Sequence, residues 1–249
     1  MMGAIYILWL RQVKRYWRSK ARIVGALGQP LLFLIALGFG FGPVFQKAGG
    51  GDYLQFLAPG VIAMSILFTS MFNGIEVIWD RQFGFLKETL VAPISRIKIM
   101  VGRTLGGATV ATIQGVIVFL ITLAIGFRPV NFVYIPIAFV FMFLISFLFT
   151  SLGTAIASKL KDMHGFQLIM NFLIMPVFFL SGALFPLEGL PKVIHIFTLL
   201  NPLTYGVEAL RYTLSGILSL NIFLDFIVVG GVAVIIGLIG AYLFSRIEL

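Results

Sequence analysis

Residues 79–103 read WDRQFGFLKETLVAPISRIKIMVGR. Seven of the chain's 27 charged residues fall in this stretch: Asp80, Arg81, Lys87, Glu88, Arg96, Lys98 and Arg103. On either side, Leu54–Trp79 and Thr104–Phe127 are apolar for the roughly 20 residues a helix needs to cross a bilayer. A charged segment of this length, punctuated by Gly84 and Pro93, is too elaborate for a simple turn between two spans. It reads as a docking surface.

Working outward, the same apolar character covers nearly the whole chain. The hydrophobic fraction is 60%, charged residues are 11%, and the mean hydropathy is +1.07. Soluble domains carry about a quarter charged residues, so lipid is the main solvent. Six segments have spanning length: Ile23–Phe45, Leu54–Trp79, Thr104–Phe127, Phe132–Ser158, Phe166–Phe185 and Ile222–Ser245. Continuous apolar runs favour helices over the alternating pattern of barrel strands. The expected fold is an all-α integral membrane protein, a single domain over residues 1–249. The first apolar run exceeds the about 7–15 residues of a secretory h-region and lacks a small-x-small site, so it reads as a retained span.

Six crossings place both termini on one side. Of the 18 basic residues, 14 fall on that side and 4 (Lys47, Arg128, Lys192 and Arg211) on the other. The positive-inside rule puts both termini and residues 80–103 in the cytoplasm of a cell in whose plasma or inner membrane the chain sits. That split also accounts for the net charge of +9 without any nucleic acid.

Three pieces do not span. In residues 1–22, Ile5, Leu8, Trp9, Val13, Tyr16 and Trp17 recur at helical spacing opposite Arg11, Lys14, Arg15, Arg18 and Arg22. This is an amphipathic interfacial helix, either a lipid-surface anchor or a contact for a partner. Within residues 80–103, Gly84 releases the chain from the second span. Phe85, Leu86, Thr89 and Leu90 mark one face of a short helix, Lys87 and Glu88 point away, and Pro93 ends it. In residues 186–219, Val193–Leu200 is too short to cross. Asn201-Pro202 gives an N-cap followed by proline at the first helical position. Two short helices dipping into the outer leaflet are expected there, with Glu208 and Arg211 spaced to pair.

The chemistry that is missing narrows the function. There is no cysteine, and the two histidines, His164 and His195, have no ligand-spaced partner, so no metal site is expected. No P-loop, HExxH or GxSxG pattern occurs. The run Gly38-Phe39-Gly40-Phe41-Gly42 lies inside a span and suggests close helix packing. Charges in the spans lie near their ends (Glu76, Asp80 and Asp225), whereas ion-coupled carriers keep ionisable groups deep. The mid-span polar residues, among them Ser65, Thr69, Asn73, Gln114, Ser146, Thr150, Asn171 and Ser181, read as contacts between helices.

These pieces together resemble the membrane (permease) subunit of type-2 ATP-binding-cassette exporters, the group that includes daunorubicin-resistance and nodulation-factor exporters. The likeness rests on Phe56-Leu57-Ala58-Pro59-Gly60 with Met64, Arg81 through Gly84, Leu86 through Pro93 with Ser95-Arg96, Ser181-Gly182 with Phe185-Pro186 and Pro191, Asn201 through Tyr205, and Glu208 through Arg211. Asp80-Arg81-Gln82 departs from the acidic–basic–acidic run of many relatives.

The resemblance implies a dimer, formed with a second copy or a close paralogue, bound to two cytoplasmic ATPase subunits that hold ATP and Mg; this chain itself carries no cofactor and is no enzyme. It implies a coupling helix contacting the ATPase through Arg81, Phe85, Leu86, Lys87, Glu88, Leu90, Val91 and Pro93, with Phe85, Leu86, Leu90 and Val91 foremost. It implies a second contact through the N-terminal helix (Trp9, Arg11, Arg15 and Arg18) and an outer gate around Pro186, Asn201, Pro202, Tyr205, Glu208 and Arg211. The expected cargo is lipophilic or amphipathic, moved outward. An ATP-independent channel, an ion-coupled carrier and a non-transporting membrane scaffold stand as the alternatives.

Overall fold

A computed structural model describes residues 3–47, 51–187, 189–217 and 221–247. Residues 1 and 2 of the expected interfacial helix and residues 188, 218 and 219 of the 186–219 segment lie outside that part. Eleven α-helices follow in order among the described residues: α1 Gly3–Arg18, α2 Lys20–Lys47, α3 Tyr53–Phe72, α4 Ile75–Gln82, α5 Phe85–Val91, α6 Arg96–Ile125, α7 Ile135–Lys159, α8 Met163–Phe179, α9 Lys192–Leu200, α10 Pro202–Ser215 and α11 Ile222–Ser245. A single 3-10 turn, Phe132–Tyr134, leads into α7. The protein is an all-α membrane protein.

Among the described residues, five helical stretches are long and apolar enough to cross a bilayer: α2, the run Tyr53–Gln82 (α3 with α4), α6, Phe132–Lys159 and α11. The run Tyr53–Gln82 is interrupted at Asn73 and Gly74, where the chain turns before α4 begins. α3 forms the centre of the bundle, flanked by α2, α6, α7 and α10. α2 and α11 bury few side chains, as expected for helices facing lipid.

α8 is shorter than the span expected there. Its 17 residues reach about 26 Å at 1.5 Å per residue, and the chain from Leu180 to Phe185 leaves the helix. Ser181 Oγ closes the last turn by donating to the Phe178 carbonyl at 2.6 Å, and Gly182 adopts φ +71. Even so, α8 runs the depth of the bundle. At its start Gln82 Nε2 donates to the Lys161 carbonyl at 3.3 Å, just before Met163. Beyond its end the Tyr53 hydroxyl donates to the Leu184 carbonyl at 2.9 Å. Gly60 permits this: a Cβ there would lie 2.1 Å from the Ala183 carbonyl oxygen.

α9 and α10 meet at a bend of 81°. Asn201 makes the corner, its side-chain oxygen accepting from the Leu203 N–H at 3.0 Å while its Nδ2 donates to the Val177 carbonyl at 2.7 Å. α10 then returns, and Ser215 Oγ donates to the Gln55 carbonyl at 2.7 Å beside the start of α3. The pair thus enters and leaves at the same end of the bundle. Asn201→Ala removes both the cap and the tie to α8. An N-cap loss alone costs about 0.5–2 kcal/mol, so the thermal midpoint of the purified chain falls; an unchanged midpoint would mean that Pro202 alone holds the corner.

Only some of the mid-span polar residues bond across helices: Asn171 is exposed, Ser181 Oγ bonds within its own turn, and the buried hydroxyls of Ser65 and Thr150 have no hydrogen-bond partner among the described residues. Thr112 Oγ1 donates to Ser146 Oγ at 3.0 Å between α6 and α7, and Asn73 Nδ2 donates to the Gly107 carbonyl at 3.0 Å. The Gly38–Gly42 run behaves otherwise: a Cβ at Gly40 or Gly42 meets nothing within 4 Å. Close packing within the chain is instead made by glycines such as Gly60, Gly74 and Gly153.

Candidate functional site

The end of the bundle that carries most of the basic residues gathers α1, α4, α5, the start of α6, the ends of α7 and α11, and the start of α8. Two arginines cap helix termini there. Arg81 donates to the Leu160 and Ser158 carbonyls at the end of α7, at 2.9 and 3.1 Å, and Arg96 donates to the Ser245 and Ile247 carbonyls at the end of α11, at 2.6 and 3.1 Å. Cations at helix C-termini also meet the negative end of the dipole. Arg81, expected on a docking face, is turned into the chain.

α5 forms where the sequence places it. Gly84 adopts φ +82, a left-handed conformation that lets the chain leave α4 sharply, and Ala92 is extended ahead of Pro93. The face it buries decides what it can offer. Leu86 is fully enclosed and Leu90 packs on the core, while Phe85 lies under the Arg11 guanidinium at 3.6 Å from its ring centroid. Three of the four foremost expected contacts are therefore engaged within the chain. Lys87, Glu88 and Pro93 are exposed. Phe83 and Val91, one at each end of α5, are 81% and 82% exposed. Phe83 was not among the expected contacts, and its place just ahead of Gly84 was the signal.

α1 is packed along α6, through contacts that advance together along both helices. Leu8 and Ile5 meet Gly102, Gln12 meets Gly106, and Trp9 Nε1 donates to Thr109 Oγ1 at 3.0 Å. Farther along, the Tyr16 hydroxyl donates to the Gln114 side-chain oxygen. Burial pushes that hydroxyl up to about 12, with Arg22 pulling the other way, so it stays a neutral donor. Gly102 and Gly106 allow this approach, since a Cβ at either would fall within 3.0 Å of α1 atoms.

The basic face of α1 then meets two carboxylates of α4. Asp80 accepts from Arg11 through both oxygens, at 3.0 and 3.2 Å, and pairs with Arg103 of α6 at 2.6 Å. Glu76 pairs with Arg22 of α2 at 2.5 Å and with Arg15 at 3.7 Å. Arg22 also donates to Asn73 at the α3–α4 break, and Arg15 lies over the Trp79 ring at 5.5 Å from its centroid. Arg103, Glu76 and Asp80 are buried, at 3%, 3% and 5% exposure. One network thus ties α1, α2, α4 and α6 together and reaches α5 through Arg11 and Phe85. Arg18, the last of the expected α1 contacts, remains exposed.

At the far end, Arg211 donates to the Gly182 carbonyl at 2.8 Å and stacks on Phe56 at 4.0 Å. It lines a cavity of about 120 Å³ with Glu208, Thr204, Ser181 and Pro186. The Tyr205 hydroxyl donates to the Leu199 carbonyl at 2.9 Å, across the Asn201-Pro202 corner. The expected gate residues thus cluster around the α9–α10 bend and the end of α8. Asp225 is fully buried in the first turn of α11, so it stays near a helix end rather than at mid-span.

The described residues thus form a bundle of apolar helices, with α1 and α5 tied at one end by ion pairs and by Arg11 over Phe85, and the bent α9–α10 pair at the other. Residues 3–215 match the family model for the ABC-2 type transporter, and the chain belongs to that family. It is 31% identical over 218 residues to a protein named putative transport permease ycf38 of Cyanophora paradoxa, covering 85% of this chain and 74% of that one. The like-named protein of Pyropia yezoensis is 30% identical over 223 residues, covering 87% and 76%. Nodulation protein J of Rhizobium leguminosarum bv. trifolii is 27% identical over 213 residues, covering 85% and 78%. The chain is thus the permease-type membrane subunit of an ABC transporter, a class in which the ATPase is the partner.

Proposed function

We propose that the chain is the membrane half of an ATP-driven exporter of lipophilic or amphipathic molecules. In this reading two copies, or one copy and a close paralogue, pair in the plasma or inner membrane with the basic end in the cytoplasm. Two separately encoded ATPase subunits, holding ATP and Mg, dock beneath α5. The chain has no nucleotide-binding pattern of its own, so the energy must arrive through a contact. The observation that carries the reading is α5 with its exposed ends: Phe83 and Val91 flank the exposed charges of Lys87 and Glu88. Large apolar side chains presented at the polar end of a membrane protein suit two anchors of a protein interface, with the charges between them left to pair with the partner.

Closure of the ATPase pair would press on α5, and Arg11 would carry that displacement to α1 and Asp80. The α9–α10 pair would form the outer gate. Phe83→Asp combined with Val91→Asp tests the docking. Two interface anchors are worth about 2 kcal/mol or more each, about 4 kcal/mol together, so capture of the ATPase falls several hundred-fold. Both side chains are exposed, so the thermal midpoint of the purified chain stays put. Retained capture and ATP-dependent flux would reject the docking assignment. Flux that needs no ATPase in liposomes would reject the exporter reading as a whole.

A further inference from the structure

Between α2 and α3 lies a cavity of about 380 Å³, lined by Gly25, Ala26 and Pro30 on one wall and Met64, Phe68 and Phe72 on the other. Sites for small molecules run from about 300 to 1,000 Å³. The walls are largely apolar, Gln29 and Thr69 add polar groups, and Arg22 is the charged residue of the lining. A second, more open groove runs over α1, lined by Ile7, Leu10 and Ser19 with the cations Arg11, Lys14, Arg15 and Arg18. Glu76 links their linings at one point, since Arg15 of the groove and Arg22 of the slot both contact it.

The charges around that point do not balance. Four arginines, Arg11, Arg15, Arg22 and Arg103, pair with two carboxylates, Glu76 and Asp80, and the exposed Lys14 and Arg18 line the same groove. Surplus cations beside a low-dielectric wall attract an anion. An apolar slot with a cationic mouth matches one kind of molecule in both halves.

We propose that this slot binds an acidic amphipath, with its chain between α2 and α3 and its anionic head over Arg15, Arg18 and Arg22. The site is a property of this chain alone and holds whether or not an ATPase drives it. Two sources share the chemistry: an acidic phospholipid of the surrounding bilayer, or a transported acidic amphipath.

Two variants probe the site while sparing the ion pairs. A Cβ at Gly25 meets nothing within 4 Å and Gly25 lines the slot, so the side chain of Gly25→Leu starts in open space and obstructs the slot. Arg18 is exposed, and Arg18→Gln removes one head contact. Titration of the full-length chain in detergent with phosphatidylglycerol and phosphatidylcholine, read by native mass spectrometry, should show at least tenfold preference for the acidic lipid. Gly25→Leu should abolish that preference and Arg18→Gln should reduce it several-fold, with neither lowering the thermal midpoint. Equal binding of the two lipids, or acidic-lipid binding that survives Gly25→Leu, overturns the proposal. So does cross-linking of Gly25→Cys chains to each other in membranes, which would make the slot a seam between copies. Mass analysis of what the wild-type chain retains on purification separates the sources: bulk acidic phospholipid indicates the bilayer, a different acidic amphipath indicates cargo, and a neutral molecule overturns the assignment.

Discussion

Asp80→Ala should destabilise the chain more than any other single substitution in the ion cluster. The substitution strips Arg103, at 3% exposure, of its ion-pair partner and releases both bonds from Arg11. Removing one partner of a buried ion pair costs about 3–5 kcal/mol, because the remaining charge is stranded, and total stabilities are about 5–15 kcal/mol. Arg11 would also lose the anchor that holds it over Phe85, so α1 and α5 should loosen together. Thermal unfolding of the purified chain and its elution as a single species are the measurements. The double variant Asp80→Ala with Arg103→Leu removes the stranded charge and should recover about half of the loss or more. If Asp80→Ala unfolds at the wild-type temperature, the cluster is an accessory and the tie between α1 and α5 lies elsewhere.

Gly153→Ala should destabilise the chain although alanine is the better helix former. A Cβ at this position in α7 would lie 2.5 Å from the Met71 carbonyl oxygen, and Gly74, facing it, has the Gly153 carbonyl 2.4 Å from its own would-be Cβ. Alanine gains about 1 kcal/mol of helix propensity over glycine. Overpacking a backbone contact of this kind costs about 1–3 kcal/mol, and neither backbone can yield as a side chain would. Gly153→Val should cost more than alanine does, since the added methyls press on the same carbonyl. Gly25→Ala provides the reference, because α2 leaves it open space and only the propensity gain remains. Equal midpoints for Gly153→Ala and Gly25→Ala would show that the α3–α4 break can separate from α7 without loss.

Membrane spans were legible in the sequence because roughly 20 apolar residues admit few other structures. α5 was legible because Gly84 and Pro93 bound it with backbone chemistry that depends on little else. The face of α5 was not. Phe85, Leu86, Leu90 and Val91 are all apolar on a seven-residue helix, and the choice among them is made by Arg11 and by the core beneath. The two-helix corner at Asn201-Pro202 was readable for the same local reason as α5. By contrast, the length of α8 depends on Gly182 and on the fit of Ala183 against Gly60, a contact between residues far apart in the chain. The ion cluster was hidden by distance as well: Arg11 and Asp80 are separated by 69 positions. Its one local sign was Glu76 and Asp80 standing four apart, on one helix face, at the end of a span and with a surplus of arginines upstream.

That separation sets an order of events during synthesis. Arg11, Arg15 and Arg22 leave the ribosome before their carboxylates exist, and at about 5–20 residues per second they wait several seconds for Glu76 and Asp80. During that interval they are unneutralised charges beside the first hydrophobic segment, which is the condition under which basic residues fix the direction of insertion. Once the second span arrives, the same side chains become internal ligands. The arginines of α1 and α2 therefore act twice, first as an address and then as a clasp, and a substitution there can misplace the chain before it has any chance to destabilise it.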